Sequence, residues 1–257
     1  MTLAALVDLV LPATCGGCGA PSGSVDPRRS GSLDPRGWCR RCAERVAAAG
    51  PVRVPPSPFL PDLPPIVAGG PYEGPLREAV NAYKEHGRHG LAAVLGDRLA
   101  VAVREWVPAE PGSAGCAGVL LVPVPATAAA ARRRFGDHMA RLARRAADGL
   151  SRAGIPTAVA FPLRALPRPD SVGLTAAQRV AVARAGLRLR AGRVAAVRDA
   201  VAAGVRPVLV DDVVTSGATL DAAAALLRAG GVPVAVAAAV AYTPRRPGGA
   251  DTPRSGS

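Results

Sequence analysis

Three stretches of the chain carry apolar residues at successive positions: GVLLVPVP at 118–125, RPVLVDDV at 206–213 and VPVAVAAAVAY at 232–242. A strand with one wet face alternates polar and apolar residues, whereas a strand apolar at consecutive positions has to be covered on both faces. Between these runs, apolar residues recur at helical spacing over 75–85, 91–106, 136–153 and 220–229. Buried strands alternating with helices predict an α/β domain built on a mostly parallel sheet flanked by helices. Shorter strand signals stand in PIVAGGPYEG, which also holds a turn, and in IPTAVAF.

Composition shifts set the expected boundaries. Residues 1–50 hold an apolar start, MTLAALVDLVLP, and four of the chain's five cysteines. Residues 51–65 contain seven prolines and read as a stiff linker. Residues 66–243 carry the α/β pattern, and 244–257 lack the means to pack and read as a disordered tail. The apolar start contains Asp8, has no basic flank and is too short to span a bilayer. The sequence therefore predicts a cytoplasmic protein with no membrane insertion.

Cys15-x-x-Cys18 and Cys39-x-x-Cys42 have the spacing of a four-cysteine zinc site. Two such turns can set four thiolates tetrahedrally around Zn²⁺. The segment is too short for its own core, so the metal would supply folding free energy in a closed, structural site. The alternatives are two disulfides or a pair of redox-active C-x-x-C motifs, and a cytoplasmic setting favours metal. Cys116 has no partner in spacing and reads as incidental.

The run VLVDDVVTSGATL, 208–220, is the most specific stretch. Ligands of open α/β sheets gather beyond the carboxyl ends of the strands, where this strand delivers Asp211 and Asp212. Thr215, Ser216, Gly217, Ala218 and Thr219 then open a helix whose first amides have no partner within it. Gly217 lets the backbone approach closely, and three hydroxyls add donors. That is a cradle for phosphate. Ionised carboxylates accept hydrogen bonds from sugar hydroxyls or supply oxygen to Mg²⁺. A ribose bearing a 5′-phosphate meets both halves of the run. An ordinary N-capped helix is the plainer alternative. A Walker B reading fails, because no Gly-Lys-Ser/Thr exists and the one lysine precedes Glu85.

The chain carries 32 basic and 19 acidic residues, a formal charge of +13 that suits anionic partners. Only 3% of residues are aromatic and the arginines are dispersed, which argues against nucleic acid as the main substrate. Lys84 is the only lysine; it marks a position where a compact ammonium is required, or it is a chance survivor in an arginine-rich chain.

VLVDDVVTSGATL resembles the phosphoribosyl pyrophosphate (PRPP) motif of type I phosphoribosyltransferases. Together with the N-terminal four-cysteine ribbon and the VPVP strand end, the chain resembles the ComF family of competence-protein relatives. That resemblance implies that Asp211 and Asp212 hold the ribose 2′ and 3′ hydroxyls. It places the 5′-phosphate on 215–219, and pyrophosphate at the loop 122–125, which includes Val124. It implies Mg²⁺ as the companion of PRPP, with Lys84 and Arg134 as candidate cations at the reacting centre. The chain departs from the family pattern at Arg134-Phe135-Gly136-Asp137-His138, where Arg-Gly-Phe/Tyr-Asn-Gln is expected. Ser171 and Val182 are further departures, flanking Leu174 and Arg179. His86, His89 and His138 have no assigned role. The competing expectation is a non-catalytic sensor of PRPP or nucleotides, or a DNA-uptake accessory protein that binds single-stranded DNA or the competence machinery.

Overall fold

The computed structural model describes residues 14–22, 33–34, 36–55, 60–107, 117–133, 136–167 and 175–244. The apolar start, Cys116, Arg134, Ser171, Leu174 and the tail beyond residue 244 lie outside the described residues.

Helix α1 (Arg40–Ala49) follows the second cysteine turn and leads to β1 (Val52–Val54) and β2 (Ile66–Ala68). Helices α2 (Gly74–Glu85) and α3 (Ala92–Trp106), joined through a 3₁₀ turn at His89–Leu91, lead to β3 (Gly118–Pro123). Then come α4 (Ala128–Arg133), α5 (His138–Arg152), β4 (Thr157–Val159) and β5 (Leu163–Ala165). Helix α6 (Ala176–Ala185), β6 (Leu187–Leu189) and α7 (Ala191–Ala202) precede β7 (Val205–Val214), α8 (Ala218–Ala229) and β8 (Val236–Tyr242).

The fold is α/β. Six strands form one sheet in the order β1-β2-β8-β7-β3-β4. All neighbours are parallel except β1 and β2, and β5 and β6 make a separate antiparallel ribbon. The uninterrupted apolar runs are the central strands, and every residue of β3 is buried. Successive side chains alternate between the two faces. Val119, Leu121, Val208, Val210, Val236, Ala238 and Val240 join one core under α2, α3 and α5. Leu120, Val122, Leu209, Ala237 and Ala239 join a second core under α6, α7 and α8.

Local chemistry sets the helix ends. Asp137 caps α5, its Oδ1 accepting the Ala140 amide at 3.0 Å. Gly136 has φ 124°, outside helical space, so α5 begins at His138 rather than at 136. Thr175 and Gln178 form a reciprocal capping box on α6.

The proline-rich stretch contributes to the sheet: Val52–Val54 pairs with β2 at an edge, the position where neighbouring prolines cost no ladder bond. Farther on, the Asp62 amide donates to Asp221 Oδ1 at 3.0 Å. Arg184 reaches both Asp62 and Asp221 at 3.1 Å, and Arg228 also pairs with Asp62. This segment is thereby tied down along α8.

No helix among the described residues is long and apolar enough to cross a membrane.

Candidate functional site

The chain leaves β3 toward the edge strand β4, whereas it leaves β7 in the opposite direction, toward β8. The carboxyl ends of β3 and β7 therefore flank a topological switch point, the crevice where open α/β sheets hold ligands. Pairing with β3 stops at Pro123 opposite Val210. Strand β7 continues beside β8 alone, with Asp211 opposite Ala239 and Val214 opposite Tyr242. The two aspartates thus project past the end of β3, beside a loop anchored by the Val124 amide on the Val210 carbonyl at 2.9 Å. A cleft of about 820 Å³ opens there, lined by Lys84, Val124, His138, Asp211, Asp212 and Thr219 among others.

Asp212 is the hub. It is 6% exposed. Lys84, at the last turn of α2, sits 3.1 Å from its Oδ1 and 3.0 Å from its Oδ2. His138 Nε2, at the first turn of α5, lies 2.7 Å from Oδ2. The Val213 amide donates to Oδ1 at 2.6 Å, and the Asp212 amide donates to Asp211 Oδ1 at 2.9 Å. Burial opposes ionisation of Asp212, but the His138 hydrogen bond and the Lys84 charge outweigh it. The carboxyl is held well below the usual carboxylate range. Since Asp212 is ionised and can only accept, the proton between it and His138 resides on Nε2.

Tyr83, beside Lys84, donates its hydroxyl to the His138 carbonyl at 2.9 Å. Burial pushes its phenol up to about 12, so it stays a neutral donor. Two helices thereby meet at one carboxylate, α2 through Lys84 and α5 through His138, and Tyr83 ties α2 to α5.

Beyond Asp212, Gly217 adopts φ 80° at the N-cap of α8. Among the described residues, the amides of Thr215, Ser216 and Gly217 donate to no protein acceptor. The Ala218 amide makes only a long contact, 3.4 Å, to Ser216 Oγ. Thr219 faces the cleft with the aspartates. Thr215, Ser216 and Gly217 border a smaller hollow of about 290 Å³ beside Val54, Leu63 and Tyr242. The turn therefore separates two concavities. A Cβ on Gly217 would stand 3.0 Å from Leu63 Cδ2, on a left-handed backbone. Gly217→Ala is expected to cost about 1–2 kcal/mol in urea unfolding, the usual penalty for a side chain in this conformation.

The structure brings Lys84, Val124, Asp211, Asp212 and Thr219 into one cleft. His138 joins them, although the sequence assigned it no role. A signal was present: His138 lies four residues before Leu142 and eight before Ala146, on the buried stripe of α5. A histidine on an apolar stripe needs a polar partner, and Asp212 is that partner.

The four cysteine Sγ atoms lie within 4.8 Å of one another. That spacing suits a tetrahedral ion with metal–sulfur distances of about 2.3 Å, and the four cysteines could hold a structural zinc. Cys15 Sγ accepts amides from Gly17 at 3.4 Å and Cys39 at 3.3 Å. Burial works against the Cys15 thiolate, but these amide donors prevail and bring its pKa to about 7. Cys42 is pushed up, first by burial and then by its neighbouring thiols. A cation would relieve that mutual repulsion.

The cysteine segment has no core of its own. Cys15, Trp38, Cys39, Cys42 and Val46 belong to the core under α2 and α3. Gly17 abuts Pro75 at the start of α2, and Gly16 abuts Leu91 just beyond its end. Arg88 reaches the carbonyl and hydroxyl of Thr14, and Arg36 pairs with Asp97 on α3 at 2.7 Å.

No family model matches the chain, and no curated protein matches it. The fold and the cysteine cluster define it as an α/β protein with a mostly parallel six-stranded sheet and an N-terminal four-cysteine site.

Proposed function

We propose that this protein binds PRPP together with Mg²⁺ and transfers the phosphoribosyl group to an acceptor, as its resemblance to type I phosphoribosyltransferases and the ComF family implies. The observation that carries the reading is the placement of Asp211 and Asp212 at the switch point, followed by a left-handed turn with unspent amides. In this reading Asp211 and the Asp212–Lys84–His138 cluster face the ribose. The turn 215–219 takes the 5′-phosphate through its amides and the positive end of α8. The loop at Val124 faces the diphosphate. The cysteine cluster holds zinc and has a structural role.

The donor set fits Mg²⁺ in one respect. Asp211 and Asp212 bring two carboxylates to the cleft; Asp211 Oδ1 accepts the Asp212 amide, and both oxygens of Asp212 are engaged by cationic or N–H groups. Mg²⁺ commonly takes one or two carboxylates plus substrate phosphates and keeps several waters. Bound there, it would neutralise charge developing on the diphosphate. The transfer breaks the C1–O bond, with the electron pair leaving on diphosphate. The acceptor's lone pair forms the new bond to C1 and its proton is lost. Positive charge builds at C1 as the diphosphate leaves. The ionised Asp212, held by Lys84 and His138, keeps a fixed negative charge beside that carbon.

Melting curves test the reading. With Mg²⁺, PRPP at about 100 times its Kd should stabilise the protein by about 2.7 kcal/mol, a rise of about 5–10 °C. Asp211→Asn should remove most of that rise. If neither PRPP nor ribose 5-phosphate moves the melting point while a single-stranded oligonucleotide does, the accessory DNA-binding reading takes its place.

A further inference from the structure

Beside the main cleft lies a second one, of about 530 Å³, across the loop 123–128. The two share Pro125, Ala126, Ala128 and Ala165. Its walls are the start of α5 and the β5/β6 ribbon. Into it come Arg141, Arg144, Arg164 and Arg190, against a single carboxylate, Asp137. Asp137 is already committed to capping α5.

Elsewhere, arginines such as Arg36, Arg184 and Arg228 have acidic partners. Among the described residues, Arg144, Arg164 and Arg190 have none. Two further observations bear on these cations. Arg164 stands opposite Arg188 in the β5/β6 ribbon, and the Arg188 guanidinium turns back onto the Ala185 and Leu187 carbonyls, leaving Arg164 to line the annex. Arg144 is held with its guanidinium 5.4 Å above the Phe161 ring, a preorganised cation with donor edges left to bind. The Arg190 backbone is fixed by its amide on the Pro162 carbonyl at 2.7 Å.

We propose that this annex binds the second substrate, and that the substrate is a small molecule bearing several negative charges, such as a polycarboxylate or a phosphorylated metabolite. The assignment rests on the phosphoribosyl-transfer reading of the adjoining cleft. It deepens that reading by giving the acceptor a charge class. The ribose donor occupies the β7 side of the shared loop, the anionic acceptor the β4 side.

The test is calorimetric, on the full chain, with benzene-1,3,5-tricarboxylate as the probe. The tricarboxylate should bind with and without saturating PRPP and Mg²⁺. The double substitution R164E/R190E should weaken it at least tenfold and leave PRPP binding intact. R193E/R198E changes the net charge equally on exposed positions of α7 outside the annex, and it should leave tricarboxylate affinity unchanged. The proposal is overturned if the probe does not bind. It is also overturned if PRPP displaces the probe, since the annex then belongs to the diphosphate of the donor. Equal weakening by R193E/R198E overturns it as well, since net charge alone then explains binding. PRPP binding without tricarboxylate binding defeats the annex alone. Tricarboxylate binding without PRPP binding defeats the donor reading, and the acceptor role with it.

Discussion

Asp212→Asn is expected to lose PRPP binding and about 3 kcal/mol of stability together. The stability loss is the usual consequence of removing one partner of a buried ion pair. Lys84 is only 22% exposed and would lose its Asp212 counterion. His138 would lose the acceptor that fixes its Nε2 proton. Urea unfolding at pH 7 measures the loss. The same variant carries a pH signature. A folded carboxyl held below its unfolded value contributes stability above the unfolded pKa, about 3.9, and that contribution drains away as pH falls further. The wild type should therefore lose stability below about pH 4 more steeply than Asp212→Asn. Lys84→Met should cost less than Asp212→Asn, and the double variant should fall short of the sum of the two, because both single changes break the same ion pair. Parallel pH profiles in wild type and variant would show that Asp212 is not the hub described.

Cys42→Ser is the second substitution with a large expected effect. Cys42 lies in the first turn of α1 and is 2% exposed. Losing one ligand of a four-thiolate set should abolish stoichiometric zinc, read by elemental analysis. Trp38, also 2% exposed in the same core, should then meet water and shift its emission to the red. A Trp106→Phe background isolates that signal, since the chain has two tryptophans. The melting point should fall by about 10 °C, equivalent to roughly 3–5 kcal/mol for a domain of this size. The effect should also reach the cleft. Gly17 against Pro75 braces the start of α2, Gly16 against Leu91 and Thr14 with Arg88 brace the turn beyond its end, and α2 carries Tyr83 and Lys84. Arg88→Ala separates the two effects. It removes the Thr14 contact and keeps all four cysteines, so zinc should stay while ribose 5-phosphate affinity falls several-fold. Unchanged ligand affinity in both variants would mean that the cysteine segment supports the fold and nothing more.

The elements legible in the sequence are those whose burial is extreme. Strands β3, β7 and β8 announced themselves because both faces are covered, and α3 and α5 because one stripe packs on the sheet. The elements that escaped notice lack such a signature. Strands β5 and β6 are three residues each, and their middle positions are exposed arginines. Helix α7 is alanine-rich, with Val194 and Val197 its only fully buried residues. Strand β1 hid among prolines, because an edge strand needs only one bonded side. In the site, Asp211, Asp212 and the turn at Gly217 were readable as one contiguous run. Lys84 stood out by its rarity and through the family resemblance, but its pairing with Asp212 was not readable, nor was that of His138. Both approach Asp212 from other helices, and long-range pairing across 128 and 74 residues leaves no local pattern.

The sole lysine has an experimental consequence. Apart from the backbone amino terminus, Lys84 offers the only primary amine on the molecule, and it is clasped between two carboxylate oxygens. Acylating reagents attack the unprotonated amine, so the ion pair has to part before the side chain can be labelled. A single mass increment on the peptide spanning residue 84 therefore counts opening events of the clasp, against a background free of competing side-chain amines.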